Sequence, residues 1–261
     1  MWEQKDRKGF KSSPKCEFPL INAVTLGSQN GIIFENARHP DSIFVIHKAA
    51  FSGFVGNVEI DASDFFHFLI NSIHIPDYFH IYDPPPHLVS SITSQDSGVK
   101  FKLRKRIQLR HDKKNRSLGN AHSAFSNEEV TRITMENFHS LEVFNLNMES
   151  KFWSSGRDFL LNGFGFVSMG AINDPHAICY SACVADNLAE IDVATLPDFQ
   201  RKGLAISVVE KFVGYCLENG IQANWDCFAE NIGSLKTAIR AGFEERKTYS
   251  FLTIIKPKKE S

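Results

Sequence analysis

The clearest periodicity in the chain begins at Leu188. In LAEIDVAT, residues 188–195, Ile191, Val193 and Thr195 fall on one face of an extended strand and Glu190, Asp192 and Ala194 on the other. Pro197 cannot donate to a ladder, so the strand ends there. The apolar spacing then lengthens: Leu204, Val208 or Val209, Phe212 and Cys216 mark a helix that Gly220 stops. QANWDCF reads as the next strand, Asn231–Ala241 as a helix and Phe243–Ile255 as a last strand. Upstream, a short strand spans Val130–Thr134, and Glu136–Asn147 and Ser154–Asn162 are helical. GFGFVSMG and HAICYSACVAD are strands joined into a hairpin by a turn at Asn173, Asp174 and Pro175. This order predicts an α/β (α+β) fold on a mixed sheet.

The first half is less regular. Residues 1–40 mix charge, Gly and Pro with little period and read as a loosely packed lead-in with one helix. IFVIHKAAFSGFVGN predicts two short strands around a turn, DASDFFHFLINSI a helix with Asp61 or Ser63 as N-cap, and DYFHIYDPPP a strand ended by proline. In VKFKLRKRIQLR, Phe101, Leu103, Ile107 and Leu109 share one face of a half-buried strand, and Lys100, Lys102, Arg104, Arg106 and Arg110 the other. HDKKNRSLGNAHSAFSN, residues 111–127, is polar and rich in Gly, Ser and Asn, which marks it as a linker. The expected division is therefore an N-terminal α/β region over 1–125 and a second domain over 126–261.

Composition narrows the class. A hydrophobic fraction of 43% and a charged fraction of 23% over 261 residues are those of a globular protein with a sizeable core, and the 23 Phe read as core. A net charge of −1 gives no global attraction to nucleic acid or to anionic membranes, so nucleic acid is not an expected partner, and the basic strand at 100–110 reads as a solvated face. The five cysteines show neither CxxC pairs nor zinc-ligand spacing, which suggests reduced thiols and no metal. The polar start MWEQKDRKGFKSSPK lacks a signal-peptide core, and no apolar run reaches the ~18 residues of a membrane span. Cytoplasm is the expected location.

Candidate chemistry lies between the strand at 188–195 and the helix after it. The first N–H groups of a helix have no intrahelical acceptor and sit at the positive end of its dipole, so they can bind a phosphate. Gly203 has no Cβ to obstruct a close approach, and Arg201 and Lys202 add charge. The run Gln200-Arg201-Lys202-Gly203-Leu204-Ala205 fits a Q/R-x-x-G-x-G/A pattern, with Ala205 in the last glycine position. Asn231, Ser234, Gly242 and Phe243 fit an N-x-x-A/S…G-F block further on. In both blocks the chain resembles the GNAT family of acyl-CoA N-acyltransferases, and EIDVAT…RKGLA…YCLENG…WD…N…S…AGF is similar to a bacterial subgroup with an extra N-terminal region. The resemblance covers Val130–Phe251.

That resemblance implies the GNAT fold, a mixed and mostly antiparallel sheet with flanking helices, in the C-terminal domain. It also implies acetyl-CoA as donor and, as acceptor, a primary amine of a small molecule or peptide that attacks the thioester directly. The N-terminal region would shape the acceptor site as a degenerate copy of the same sheet. The pyrophosphate loop would be Arg201, Lys202, Gly203, Leu204, Ala205 and Ile206. The backbone of Val193, Ala194 and Thr195 would hold the pantetheine and the acetyl carbonyl, acting as an oxyanion hole. Asn231 would contact the pantetheine arm, with Ser234 beside it. All ten histidines lie at or before His176, outside the motif region, so a carboxylate is the expected base: Glu190 first, then Asp226, with Asp192 also available. The family's usual tyrosine acid falls on Ala238, leaving Tyr180, Tyr215, Tyr249 or water. That departure keeps open a catalytically inactive CoA-binding module. The oligomeric state is expected to be monomer or homodimer.

Overall fold

A computed structural model of the chain describes residues 2–6, 16–94, 98–111, 128–171 and 174–257. The expected linker, apart from His111, and the expected boundary at 125/126 lie outside these residues. The elements run β1 (Trp2–Lys5), α1 (Pro19–Leu26), β2 (Gly31–Asn36), β3 (Ser42–His47), β4 (Phe51–Gly56), α2 (Ala62–Asn71), β5 (Tyr78–Tyr82), α3 (Pro86–Thr93) and β6 (Lys100–His111). They continue β7 (Glu129–Arg132), α4 (Met135–Phe138), α5 (Met148–Lys151), α6 (Gly156–Asn162), β8 (Gly165–Met169), β9 (Pro175–Ala185), β10 (Leu188–Thr195), α7 (Leu204–Glu218), β11 (Gln222–Phe228), α8 (Ile232–Arg240) and β12 (Phe243–Ile255). Two compact units result, Met1–Arg106 with Tyr249–Ser261 and Ile107–Thr248. The chain passes from one to the other inside β6 and returns inside β12.

In the first unit the strands lie in the order β1-β2-β3-β4-β5, followed by the end of β12. All neighbours are antiparallel except β4 and β5, which pair in parallel at Phe51↔His80 and Ser52↔Ile81 only. Asp61 caps α2 as expected, its Oδ1 accepting from the Asp64 N–H at 2.8 Å. The Phe-rich core is here: Phe34, Phe44, Phe65 and Phe79 are at most 2% exposed, and Trp2 stacks on Phe68.

One reading of this half needs correction, and one needs an addition. The first 40 residues are not a loose lead-in: α1 is buried from Pro19 to Thr25, and β1 and β2 join the sheet. A helix covered on every side has no polar stripe, so PLINAVTL shows no amphipathic period. The triple proline ends β5 but also opens α3, with Pro86 in the first turn, where a missing N–H costs nothing.

The second unit orders its strands β6, from Ile107, then β11-β10-β9-β8-β7. β7 to β10 are antiparallel neighbours, whereas β10 and β11 run parallel. The helix expected over 136–147 is broken into α4 and a 3-10 turn over His139–Phe144. The buried side of α7, with Leu204, Val208, Val209, Phe212 and Cys216, packs with Ala177, Cys179, Ala189 and Ile191 of β9 and β10. Trp153 is 1% exposed and donates its indole N–H to the Ser181 carbonyl at 3.1 Å, which makes it core.

Candidate active site

The site is built on the turn between β10 and α7. Pro197–Phe199 form a single 3-10 turn; Arg201 then takes φ 62° and Gly203 φ 83°, and Gly203 stands as N-cap of α7 with no side chain to close the helix end. The left-handed conformation at Gly203 suits a residue without Cβ; any other L-residue held there meets strain of about 1–2 kcal/mol. The N–H groups of Ile206 and Ser207 both donate to the Gly203 carbonyl. Those of Arg201, Lys202, Gly203, Leu204 and Ala205 donate to no carbonyl among the described residues. Five unpartnered donors at the positive end of a 15-residue helix form a cradle for an anion.

A cleft leads away from this cradle. β10 and β11 are in register at Leu188↔Gln222, Ala189↔Ala223 and Glu190↔Asn224, and there the pairing stops. From Ile191 onward β10 keeps β9 on one side and, among the described residues, has no strand on the other. The gap opens into a cavity of about 480 Å³. Of the residues singled out from sequence, Val193, Ala194, Thr195, Arg201, Gly203, Leu204, Ala205, Ile206, Asn231 and Ser234 all line it.

On the far wall, Asn231 caps α8 by accepting from the Ser234 N–H at 3.1 Å, and Ser234 Oγ accepts from Trp225 Nε1 at 3.0 Å. Asn231 therefore uses its carbonyl oxygen for the cap and keeps its amide NH₂ without a partner among the described residues. Lys202 does not line the cavity; its ammonium lies 4.7 Å from the centre of the Phe199 ring. Phe199 does line it, and its ring stacks on that of His176, with centroids 3.4 Å apart. His176 in turn meets Glu128 at 2.9 Å through Nδ1 and Asp174 at 3.0 Å through Nε2. Burial opposes its charge, but these two carboxylates outweigh burial and raise its pKa.

Gln200, Gly233, Thr237 and Arg240 also line the cavity and were not among the expected site residues. Gly233, Thr237 and Arg240 recur at helical spacing on α8, so the signal was present once Asn231 fixed where that helix starts.

The carboxylates stand on the other face of β10. Glu190 is 8% exposed and accepts from Asn224 Nδ2 at 2.7 Å; Asn224 Oδ1 accepts from Arg110 Nε at 3.3 Å. Asp192 is half-buried and accepts the Tyr180 hydroxyl at 2.7 Å. Asp226 is half-buried on β11 and shares the Asn224 face by alternation. Ala238 is fully buried in the core against α7, so the family's tyrosine position offers no hydroxyl. Of the other tyrosines considered, Tyr215 accepts from Arg132 at 3.3 Å and Tyr249 is buried in the first unit. None of the five cysteines is in a disulfide, and burial pushes the thiols of Cys179, Cys183 and Cys216 up, which leaves them poor nucleophiles. Among the described residues no group of three or more His, Cys, Asp or Glu could hold a metal ion, and no helix is long and apolar enough to cross a membrane.

The chain is similar to known proteins in sequence and in fold. YdfB, an uncharacterised N-acetyltransferase of Bacillus subtilis (strain 168), is 34% identical over 123 residues, and the match spans 46% of this chain and 46% of that protein. A GCN5-related N-acetyltransferase-like protein from Streptococcus suis 89/1591 superposes with TM-score 0.67 and 19% identity, over 91% of this chain and 93% of its own. A tandem GNAT protein from the clavulanic acid biosynthesis pathway superposes with TM-score 0.65 and 8% identity over 99% of each chain. At such identities the likeness to the two solved structures is one of fold, a mixed sheet with flanking helices. A family model described as GNAT acetyltransferase matches residues 17–252, and the chain belongs to that family.

Proposed function

We propose that the protein is an acetyl-CoA-dependent N-acetyltransferase that moves the acetyl group to a primary amine of a small molecule or peptide by direct attack, without a metal. The observation that carries this reading is the row of five unpartnered N–H groups at the start of α7, opening onto a cleft that follows the unpaired edge of β10. Arg201 to Ile206 hold the pyrophosphate, with Gly203 allowing the approach and Arg201 and Arg240 contributing charge to the phosphate-rich end. The backbone of Val193, Ala194 and Thr195 holds the pantetheine and polarises the thioester carbonyl, and the free amide of Asn231 donates across the cleft. The base is a carboxylate on the Glu190 face of β10 and β11.

The first unit is a degenerate second copy of the fold. It repeats the order of the second: a helix, three antiparallel strands, a helix, a strand parallel to the third, another helix.

Calorimetry with acetyl-CoA on the wild type and on Gly203→Glu tests the donor site. Heat from the wild type alone is expected; no heat from the wild type, or equal heat from both, overturns the reading. Buried Ala238 favours a second reading, a CoA-binding module without catalysis, and that reading predicts binding without thiol release over a panel of amines. Turnover with any amine rejects it.

A further inference from the structure

His176 stands outside the donor motifs in sequence, yet the fold sets it against their turn. Its ring lies 13° from the plane of Phe199, with centroids 3.4 Å apart, and its carbonyl accepts the Leu196 N–H at 3.0 Å, where the chain leaves β10. Phe199 lines the donor cleft with Gln200 and Arg201. The imidazole has a carboxylate at each nitrogen, Glu128 at Nδ1 and Asp174 at Nε2. A carboxylate only accepts, so both contacts are hydrogen bonds only when both ring nitrogens carry a proton. The geometry is that of an imidazolium. A neutral ring would turn one lone pair toward a carboxylate, and it has little room to turn away: His176 is 6% exposed, and a Cβ on Gly170 would clash with its ring. Glu128 is fixed in turn by the Ser168 hydroxyl. Burial works against the charge, the two carboxylates outweigh burial, and the imidazolium persists above pH 6.5.

A cation on the face of Phe199 is attracted by the ring's quadrupole, and Phe199 belongs to the 3-10 turn that leads into the open N–H groups. Charge adds to this. An imidazolium between two carboxylates leaves one net negative charge, whereas a neutral ring leaves two, beside a cleft that would take a pyrophosphate. On the reading that this cleft binds acetyl-CoA, we propose that His176 is a positioning residue of the donor site and a protonation switch: the imidazolium seats Phe199 in the cleft wall, and loss of its proton loosens the turn and weakens acetyl-CoA binding. His176 acts through Phe199 and does not touch the donor.

The charged groups that face His176 are Glu128, from the start of β7, and Asp174, from its own hairpin. β8 offers Ser168 and Gly170, which do not titrate. The turn offers Phe199, with Asp198, Arg201 and Lys202 near it in sequence and the Lys202 ammonium 4.7 Å from the centre of that ring.

The test is the acetyl-CoA dissociation constant, measured by calorimetry from about pH 6 to about pH 9, where a raised histidine titrates, in wild type, Asp174→Asn and His176→Gln. Titration of the donor's own phosphates is common to all three and cancels between them. Wild-type affinity is expected to fall about fivefold across the range. The Asp174 side chain is 59% exposed, so its substitution leaves the core undisturbed. With one carboxylate fewer the imidazolium is less stable, and the fall moves to lower pH. His176→Gln should bind at the weak, high-pH level throughout, with no step. A packing defect would lower affinity alike at every pH and move no midpoint. Equal wild-type affinity across the range overturns the proposal, as does a step that persists in His176→Gln. So does a midpoint unmoved in Asp174→Asn, which decides the matter even where His176→Gln fails to fold. Each of these results leaves the donor site standing, whereas no acetyl-CoA heat from the wild type at any pH sinks the donor reading and this inference together.

Discussion

Asn231 has two ends with different work. Its carbonyl oxygen caps α8 through the Ser234 N–H, while its NH₂ group has no partner among the described residues and the residue lines the cavity. Asn231→Ala removes both and is expected to cost about 1 kcal/mol of stability, the usual worth of an N-cap, together with acetyl-CoA affinity. Asn231→Asp keeps the acceptor for the cap but replaces the donor. Its urea midpoint should match the wild type while its acetyl-CoA affinity falls at least tenfold in calorimetry; equal affinity would remove Asn231 from the donor site. At this scale the sequence was most informative where function follows contiguous residues. Arg201 to Ile206, Asn231 and Ser234 sit on one turn and one helix start, so the two blocks that carry the family resemblance also bring them together. Tyr180 and Asp192 meet only through the register of β9 and β10, which includes a shift between Glu190 and Ile191. No count along the chain supplies that shift.

The same helix position has opposite character in the two units. α7 begins at a bare glycine with open N–H groups, whereas α2 begins at Asp61, whose carboxylate fills the helix end, with Asp64 in the first turn paired to Arg38. Two carboxylates at a helix start repel a pyrophosphate and occupy the donors it would need. β4 and β5 also part after two paired rungs, but large aromatic side chains fill the space beside them, Phe51 stacking on Tyr82 and Phe54 lying against Phe65. One acetyl-CoA per chain is therefore expected in a calorimetric titration, and Asp61→Gly should not add a second. A stoichiometry of two would show that the first unit binds the donor as well. Element boundaries from Leu188 to Ile255 were legible because each strand alternates or ends at a proline or glycine. α1 was not, since a helix buried all round carries no period. Gly31 gave no warning either: a Cβ there would clash with the Ile46 carbonyl oxygen, a constraint that only the fold creates.

Across the whole chain, the histidines make the two units respond to pH in opposite senses. In the first unit, burial and then the neighbouring charge of Lys48 lower His47 to about 3; its Nδ1 accepts from the Ala49 N–H and cannot also take a proton. Burial, then Arg104 and Arg106, lower His80 to about 4. An unfolded histidine takes up its proton near 6.5, so the unfolded state binds more protons below that value and acid destabilises this unit progressively from about pH 6.5 down to about 3. His176 in the second unit is raised, so its contribution is fully present below about pH 6.5 and fades as the pH rises through its folded value. Hydrogen exchange, corrected for intrinsic rates, should show β3 and β5 losing protection between pH 7 and pH 4.5 while β9 does not. Parallel loss in all three strands would contradict this.

The path of the chain between the units bears on the order in which they can form. The second unit is one continuous run, Ile107–Thr248, while the sheet of the first waits for Phe251, Leu252 and Ile254, which are fully buried beside β5. During synthesis, the segment made first is therefore the one completed last. Until residues 249–255 leave the ribosome, β5 presents a bare hydrogen-bonding edge flanked by a half-built aromatic core, open to pairing with other chains. The second unit has by then had its whole sequence available to fold.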